Sequence, residues 1–434
     1  MDSDTKIQRN ILLFTCIGHA MTHVYIHLFT AIQPEIRSSF DGLGAEELTS
    51  LASISLVLFG GGAIPAGWLS DRYGEKPLLV AFFLLSAGGG AVTGFASTTW
   101  QLAAGFALIG LGTSIYHPVG LALISKGISR PAKAMGINGL FGSLGTALSP
   151  LAARQLTHLT GDWRWAFIGL AVPMLVLAFL LGCSNTGGKR TSDAADEENH
   201  APGGRRSIVG LLLTAMLFGG IYYSLIITML PERLAAGAGS SDILRGIVGE
   251  GYLPFIVFFI GGLGQVAAGH WMENREGRGL YVVILGATVP LVYLSGILDG
   301  MSMVVAASVM AFFMFAVQPV ENTLLARYTA PGMRGRIYGL KFILTFGAGM
   351  GSGTALSGWI SEDSGLKAVF TVAACFAAAA LLMAALARAL KPRGQNTGGA
   401  KWMRQPGKKP ERPRPERKTR QDPNRGGGCA CQAG

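Results

Sequence analysis

Charge is scarce in this chain. Asp, Glu, Lys and Arg make up 14% of its 434 residues, well below the roughly 25% of soluble domains. Half of the residues are hydrophobic, and they fall in runs of about twenty, the length that spans a bilayer core. A large soluble α/β protein would instead show apolar runs of about 4–8 residues, so that class is excluded. Cysteine is sparse too. Cys16, Cys183 and Cys375 lie within or at the ends of apolar runs, and Cys429 and Cys431 lie near the C-terminus, which makes no disulfide framework. No phosphate-binding glycine loop and no nucleophile–base pair stands out, so neither ATP-driven work nor enzymatic chemistry is expected, and no cofactor. No small-residue cleavage site follows the first apolar run, 11–32, which is expected to stay as a helix rather than leave as a signal peptide.

What the chain has instead is glycine, 62 residues of it, as suits membrane helices that pack closely. The apolar runs predict an all-α membrane protein of twelve spans: 11–32, 48–69, 77–97, 99–122, 134–158, 163–183, 208–230, 247–271, 279–298, 301–325, 336–360 and 366–390. They form two sets of six. The expected organisation is an N-terminal six-helix bundle (1–183), a charged linker (184–207), a C-terminal six-helix bundle (208–390) and a basic tail (391–434). The tail is rich in Pro, Gly, Lys and Arg, a composition that cannot bury a core and is expected to be disordered.

Basic residues stay on the cytoplasmic side during insertion. With both termini inside, the inner segments before residue 388 hold 17 Lys and Arg, among them Arg72, Lys76, Arg275 and Lys341. The outer segments hold six: Arg37, Arg154, Arg164, Arg233, Arg245 and Lys367. An N-in, C-in orientation follows, in the cell's inner membrane or an internal membrane derived from it. The remaining 13 basic residues lie at 388–425 and account for most of the net charge of +11. That charge therefore belongs to the tail and inner loops and does not point to nucleic acid.

A short basic loop joins the second and third apolar runs: Gly67-Trp-Leu-Ser-Asp71-Arg72-Tyr-Gly74-Glu-Lys76. A weaker copy, containing Glu273 and Arg275, follows 202 residues later from Gly269. His117-Pro118-Val119-Gly120 and Gln318-Pro319-Val320-Glu321 stand 201 residues apart, and Gly136 and Gly339 stand 203 apart. Three anchors at nearly one offset indicate parallel six-helix repeats. The pattern G-x-L-x-D-R-x-G-x-K resembles the hairpin signature of the major facilitator superfamily. The resemblance covers about residues 10–390 and implies a two-bundle carrier that works by alternating access. Gly67, Asp71, Arg72, Gly74, Lys76, Glu273 and Arg275 would then form a conformational switch. Asp71 would pair with a basic group or cap a neighbouring helix N-terminus.

In such a carrier the substrate site lies near the midplane between the repeats. Polar groups inside spans are expensive and are functional candidates for that reason. His19, His23 and His27 at i, i+4, i+8 share one face of the first helix. They could line the cavity, carry a coupling proton or bind a transition metal, or they could simply be buried in helix contacts. His117 and Gln318 precede matching prolines that remove a backbone hydrogen bond and kink their helices. Glu321, one turn beyond Gln318, either faces the pathway or pairs with Arg327. Lys341 either faces the cavity or extends to the cytoplasm. Asn138, Tyr222, Tyr223 and Gln265 are weaker candidates, with packing the favoured role over ligand contact. Glycine spacing in the fifth helix (Gly136, Gly139, Gly142, Gly145) and the eleventh (Gly347, Gly349, Gly351, Gly353) resembles the glycine motif of efflux-type members and is equally compatible with close packing.

Gly18-His19, Pro34 and Tyr116-His117-Pro118 further resemble the fosmidomycin-resistance group of drug exporters. The chain departs from that group at Val119, where the group carries a carboxylate. It also departs from proton-linked drug antiporters at Phe106, where they carry an arginine. The resemblance implies a proton-coupled exporter of a small organic molecule. A transition-metal ion such as iron is the alternative cargo, through the histidines of the first helix. A membrane recruiting factor acting through a protein partner of the basic tail is the alternative from another class. Expected partners are membrane lipid and a small-molecule or ion substrate. The topology is tested with Ala195→Cys in a chain whose native cysteines are serine. An impermeant thiol reagent should leave it unlabelled in intact cells and label it once the cells are opened; labelling from outside would overturn the orientation.

Overall fold

The computed structural model describes residues 3–29, 32–187, 205–237 and 252–390. Most of the expected linker, the start of the expected eighth span and the tail with Cys429 and Cys431 lie outside these residues. Before the linker come α1 (Ser3–Leu28), α2 (Gln33–Ser38), α3 (Ala45–Gly61), α4 (Ala63–Tyr73), α5 (Glu75–Gly94), α6 (Thr99–Gly127), α7 (Pro131–Thr160) and α8 (Arg164–Cys183). After it come α9 (Arg205–Gly237), α10 (Tyr252–Glu273), α11 (Arg278–Ile297), α12 (Gly300–Tyr328), α13 (Arg334–Phe342), a π-helical stretch (Ile343–Met350), α14 (Gly351–Ser364) and α15 (Leu366–Ala389).

Among the described residues nine helices are long and apolar enough to cross a membrane, or ten with α3 and α4 as one bent span. The other two spans are α7, diluted by glycine and polar side chains, and the composite α13–α14. These two line the interior, where lipid does not demand an unbroken apolar surface. The fold is thus twelve spans in two six-helix bundles. α6 is 83% buried across its most apolar stretch and α8 only 33%, so α6 sits centrally and α8 faces lipid. In the first bundle α1 packs on α6 and α7, and α5 lies between α6 and α8; in the second α12 packs on α10 and α11, and α15 on α9 and α11.

Two expected straight spans are broken. The second bends by 42° between α3 and α4, at Gly62, where an added Cβ would run into Ser114 of α6. The eleventh loosens into the π-helical stretch across Gly347 and Gly349; glycine gives such a turn little side-chain packing to hold a regular pitch. The sixfold apolar pattern was blind to both, and also to α2, a six-residue helix between the first two spans.

Glycines let the bundles approach each other closely. A Cβ on Gly67 of α4 would run into the Gly335 carbonyl of α13, and Gly136 of α7 lies against Gly269 of α10. Backbones approach this closely only without side chains. Gly67→Ala should therefore cost about 1–3 kcal/mol of overpacking, read as a lowered melting temperature of the purified protein. Gly88→Ala, whose Cβ would meet nothing within 4 Å, should melt like the parent.

Candidate functional site

The hairpin residues come together with the opposite bundle. Asp71 lies in the last turn of α4, and its carboxylate accepts from the backbone N–H groups of Gly335 (2.9 Å) and Arg336 (2.9 Å), in the first turn of α13. Arg336 Nε lies 3.3 Å and Lys126 Nζ 3.7 Å from the same carboxylate, whose side chain is 3% exposed. Both expected roles are thus filled at once: a helix cap and an ion pair. The repeat reproduces the arrangement. Glu273, which ends α10, accepts from the backbone N–H of Lys133 (3.0 Å) in the first turn of α7. Each carboxylate satisfies backbone donors that a helix start leaves unpaired, and each sits at the positive end of a helix dipole.

The other hairpin residues support this turn. Gly74 links α4 to α5 at φ 91°, a conformation costly for any residue with a Cβ. Lys76 Nζ donates to the carbonyls of Gly182 (2.9 Å) and Ser184 (2.8 Å), closing the C-terminal end of α8. Arg72 stacks over the Trp68 ring at 5.5 Å. Arg275 accepts from Arg327 through its carbonyl at 2.6 Å.

A cavity of about 310 Å³ lies between the bundles, lined by His19, His23, His27, His117, Gln265 and Gln318 with aromatic walls from Phe255, Phe258, Phe315 and Phe346. A narrower cavity of about 60 Å³ shares His19, His117 and Gln318 and reaches Glu321 and Lys341. All seven pathway candidates of the sequence therefore line one or both of these two spaces, which share lining residues. The weaker candidates lie here too: Asn138 and Tyr222 line the narrower space, and Tyr223 and Gln265 line both. Gln265 also bridges the bundles, donating to Ser143 Oγ at 2.8 Å.

Lys341 does not extend to the surface. It is 3% exposed, and its Nζ lies 3.0 Å from Glu321 Oε2. Glu321 pairs with Lys341 rather than with Arg327, which donates instead to the carbonyls of Met272, Arg275 and Glu276. Tyr281 Oη donates to Glu321 Oε1 at 2.8 Å, and Lys341 Nζ donates to Asn322 Oδ1 at 2.6 Å. The pair thus has the extra hydrogen bonds that a desolvated ion pair needs to persist. Tyr281 and Asn322 were missed in the sequence. Asn322 had one available signal, an amide next to the acidic residue of an apolar span.

The first-helix histidines are placed by glycines. A Cβ at Gly142 of α7 would strike the His19 ring, and one at Gly18 would strike the Tyr116 ring. The glycine spacing of α7 therefore makes room for polar groups as well as for a helix. His19 Nδ1 donates to the Asn138 carbonyl at 2.8 Å, and the His19 ring stacks on Tyr116 at 5.1 Å. Tyr116 Oη donates to the Thr15 carbonyl at 2.5 Å and accepts from Asn138 Nδ2 at 2.7 Å. His27 stacks on His23 at 6.1 Å. The α1 stripe is thus part of a wider aromatic and imidazole cluster that includes α6.

Comparisons with known proteins agree with this architecture. The Probable 4-methylmuconolactone transporter of Cupriavidus pinatubonensis is 31% identical over 168 residues, 38% of this chain and 39% of that protein. Multidrug resistance protein MdtH of Yersinia enterocolitica is 33% identical over 116 residues, 27% of this chain and 26% of that one. The alignments thus span well under two thirds of these relatives. The crystal structure of FucP, a Major Facilitator Superfamily transporter in the outward conformation, superposes with a TM-score of 0.67 at 15% identity, over 87% of this chain and 98% of that one. The family description Major Facilitator Superfamily matches residues 13–344. With twelve spans in two bundles, carboxylates that cap helices of the opposite bundle and a cavity between them, the chain belongs to the Major Facilitator Superfamily.

Proposed function

We propose that the protein is a proton-coupled secondary transporter that exports a small organic solute by alternating access. The observation that carries the coupling is the Glu321–Lys341 pair, buried beside the cavity. As an ion pair it is neutral overall, which a dry interior tolerates. A proton on Glu321 would leave Lys341 as an uncompensated charge, costly unless water or solute reaches it. Proton loading is thereby tied to wetting of the cavity, and so to the state of the carrier. Tyr281 touches Glu321 from α11, Tyr222 lies near it on α9, and His117 lines the same cavity on α6.

The aromatic walls and the amides of Gln265 and Gln318 suit a compact organic solute with an apolar body and a few polar atoms. Export is supported by the drug-resistance relative and by the likeness of Gly18-His19 and Tyr116-His117-Pro118 to the fosmidomycin-resistance group. The hairpin would lie at the cytoplasmic end, and Asp71 and Glu273 would hold that end shut. The second reading, a transition-metal cargo, is favoured by the close approach of His19 and His23, whose Nε2 atoms lie 3.2 Å apart.

Glu321→Gln should abolish proton-driven flux in proteoliposomes while solute-for-solute exchange continues. Glu321→Gln with Lys341→Met checks that the loss is not misfolding, since it also removes the stranded cation. Proton-driven flux undiminished in Glu321→Gln would refute the coupling assignment. Asp71→Asn should slow flux without lowering the yield of inserted protein. It removes a charge-assisted contact of about 1.5–3 kcal/mol, which biases the conformational equilibrium roughly 10–150-fold. Unchanged flux would mean that the hairpin is only a turn.

A further inference from the structure

We propose that His19, His23 and His117 form a binding site for a divalent first-row transition-metal ion, open to the cavity between the bundles. One ligand nitrogen from each of the three lies within 4.8 Å of the others. The partner that completes the site is His117 of α6, and not His27 of the α1 stripe. Tetrahedral coordination at about 2.0–2.1 Å sets ligand nitrogens roughly 3.4 Å apart, so closing on an ion requires shifts of about 1 Å or less.

Three features prepare these side chains for an ion. The Asn138 carbonyl can only accept, so His19 carries its proton on Nδ1 and leaves Nε2 as a lone pair facing His23. This backbone anchor is the type of outer contact that orients metal-bound imidazole. His117 is 5% exposed, and its Nδ1 is buried with no hydrogen-bond partner, an unusual state for a polar atom in a protein interior. Pro118 follows it and breaks the local helix ladder, which lets the His117 backbone adjust. On binding, His23 would give up its hydrogen bond to His19, move its proton to Nδ1 and present Nε2. Three neutral imidazoles leave a fourth position towards the cavity for water or hydroxide, the arrangement of open rather than closed metal sites.

The site is defined by binding, so it does not depend on which solute is carried or on the proton coupling of Glu321. The test uses the full-length chain in detergent with Cys429→Ser and Cys431→Ser in every arm, which removes the tail thiols as a rival site. Titration with Co²⁺ at about pH 7.5, where imidazole is mostly neutral, should show one ion per chain with visible ligand-field absorption. His19→Gln, His23→Gln and His117→Gln should each weaken binding more than about 100-fold, the upper end of what losing a mere outer-sphere partner costs. His27→Gln should stay within about threefold of the parent. His117→Cys, which restores a ligand, should recover binding with a thiolate-to-cobalt charge-transfer band. That arm and His23→Gln decide the matter if His117→Gln lowers the apo melting temperature. Absence of stoichiometric Co²⁺ binding, its persistence in His117→Gln, or an equal loss in His27→Gln would each overturn the site.

Discussion

A carboxylate seated on the first backbone N–H groups of a helix from the other bundle is the contact on which this end of the bundle interface depends. Asp71 does this for α13 and Glu273 for α7. The two contacts are related by the same offset of about 202 residues that relates the sequence halves. A helix start carries unpaired donors whatever its sequence. A buried carboxylate that satisfies them is strong when in place and costly to strand. The contact also needs the backbones to meet, which Gly67 and Gly335 allow. Charge and glycine thus act together: the glycines set the distance, and the carboxylate makes that distance favourable. Separating the two bundles at this end would break both caps at once.

The interior follows a second economy. Apolar walls dominate, and the few polar groups are placed where another group answers them. Tyr116 receives Asn138 and gives to the Thr15 carbonyl, Asn138 holds His19 through its own carbonyl, and Glu321 has Lys341 and Tyr281. Two chemistries are therefore separated across the bundle interface. The imidazole cluster lies on α1 and α6 of one bundle, and the ion pair on α12 and α13 of the other. The Phe342 ring, next to Lys341, stands 4.4 Å from the His117 ring, so the two regions meet where the narrower cavity ends. Rocking of one bundle against the other would change that contact directly.

Much was legible without coordinates because the bilayer imposes it. Apolar runs of membrane length, basic loops and a repeated hairpin pointed to the all-α fold and the two bundles, and polar residues within the spans pointed to side chains that line the cavities. Hydrocarbon punishes buried polarity, and so the histidines, Gln318, Glu321 and Lys341 within spans marked themselves, though Tyr281 and Asn322 did not. The partners were not legible. Glu321 had Arg327 nearby in sequence and Lys341 twenty positions away on another helix; the pairing follows from the face that α13 turns to α12. The stripe His19, His23, His27 was read as one set, yet each four-residue step drifts about 40° around the helix. The crossing of α6 near the His19 end brings His117 into that set.

The sequence by itself determined where chain can lie in lipid, where it must turn and which side chains are too polar to face hydrocarbon, since these depend on local composition alone. Only the tertiary structure decided what those side chains meet. The bend at Gly62, the loosened turn at Gly347 and Gly349, the double role of Asp71 and the approach of His117 to His19 and His23 all arise from contacts between helices far apart in the chain. Such contacts depend on the depth and angle at which two helices cross. Many crossings satisfy the same apolar pattern, and the side chains that touch are chosen by the one that packs.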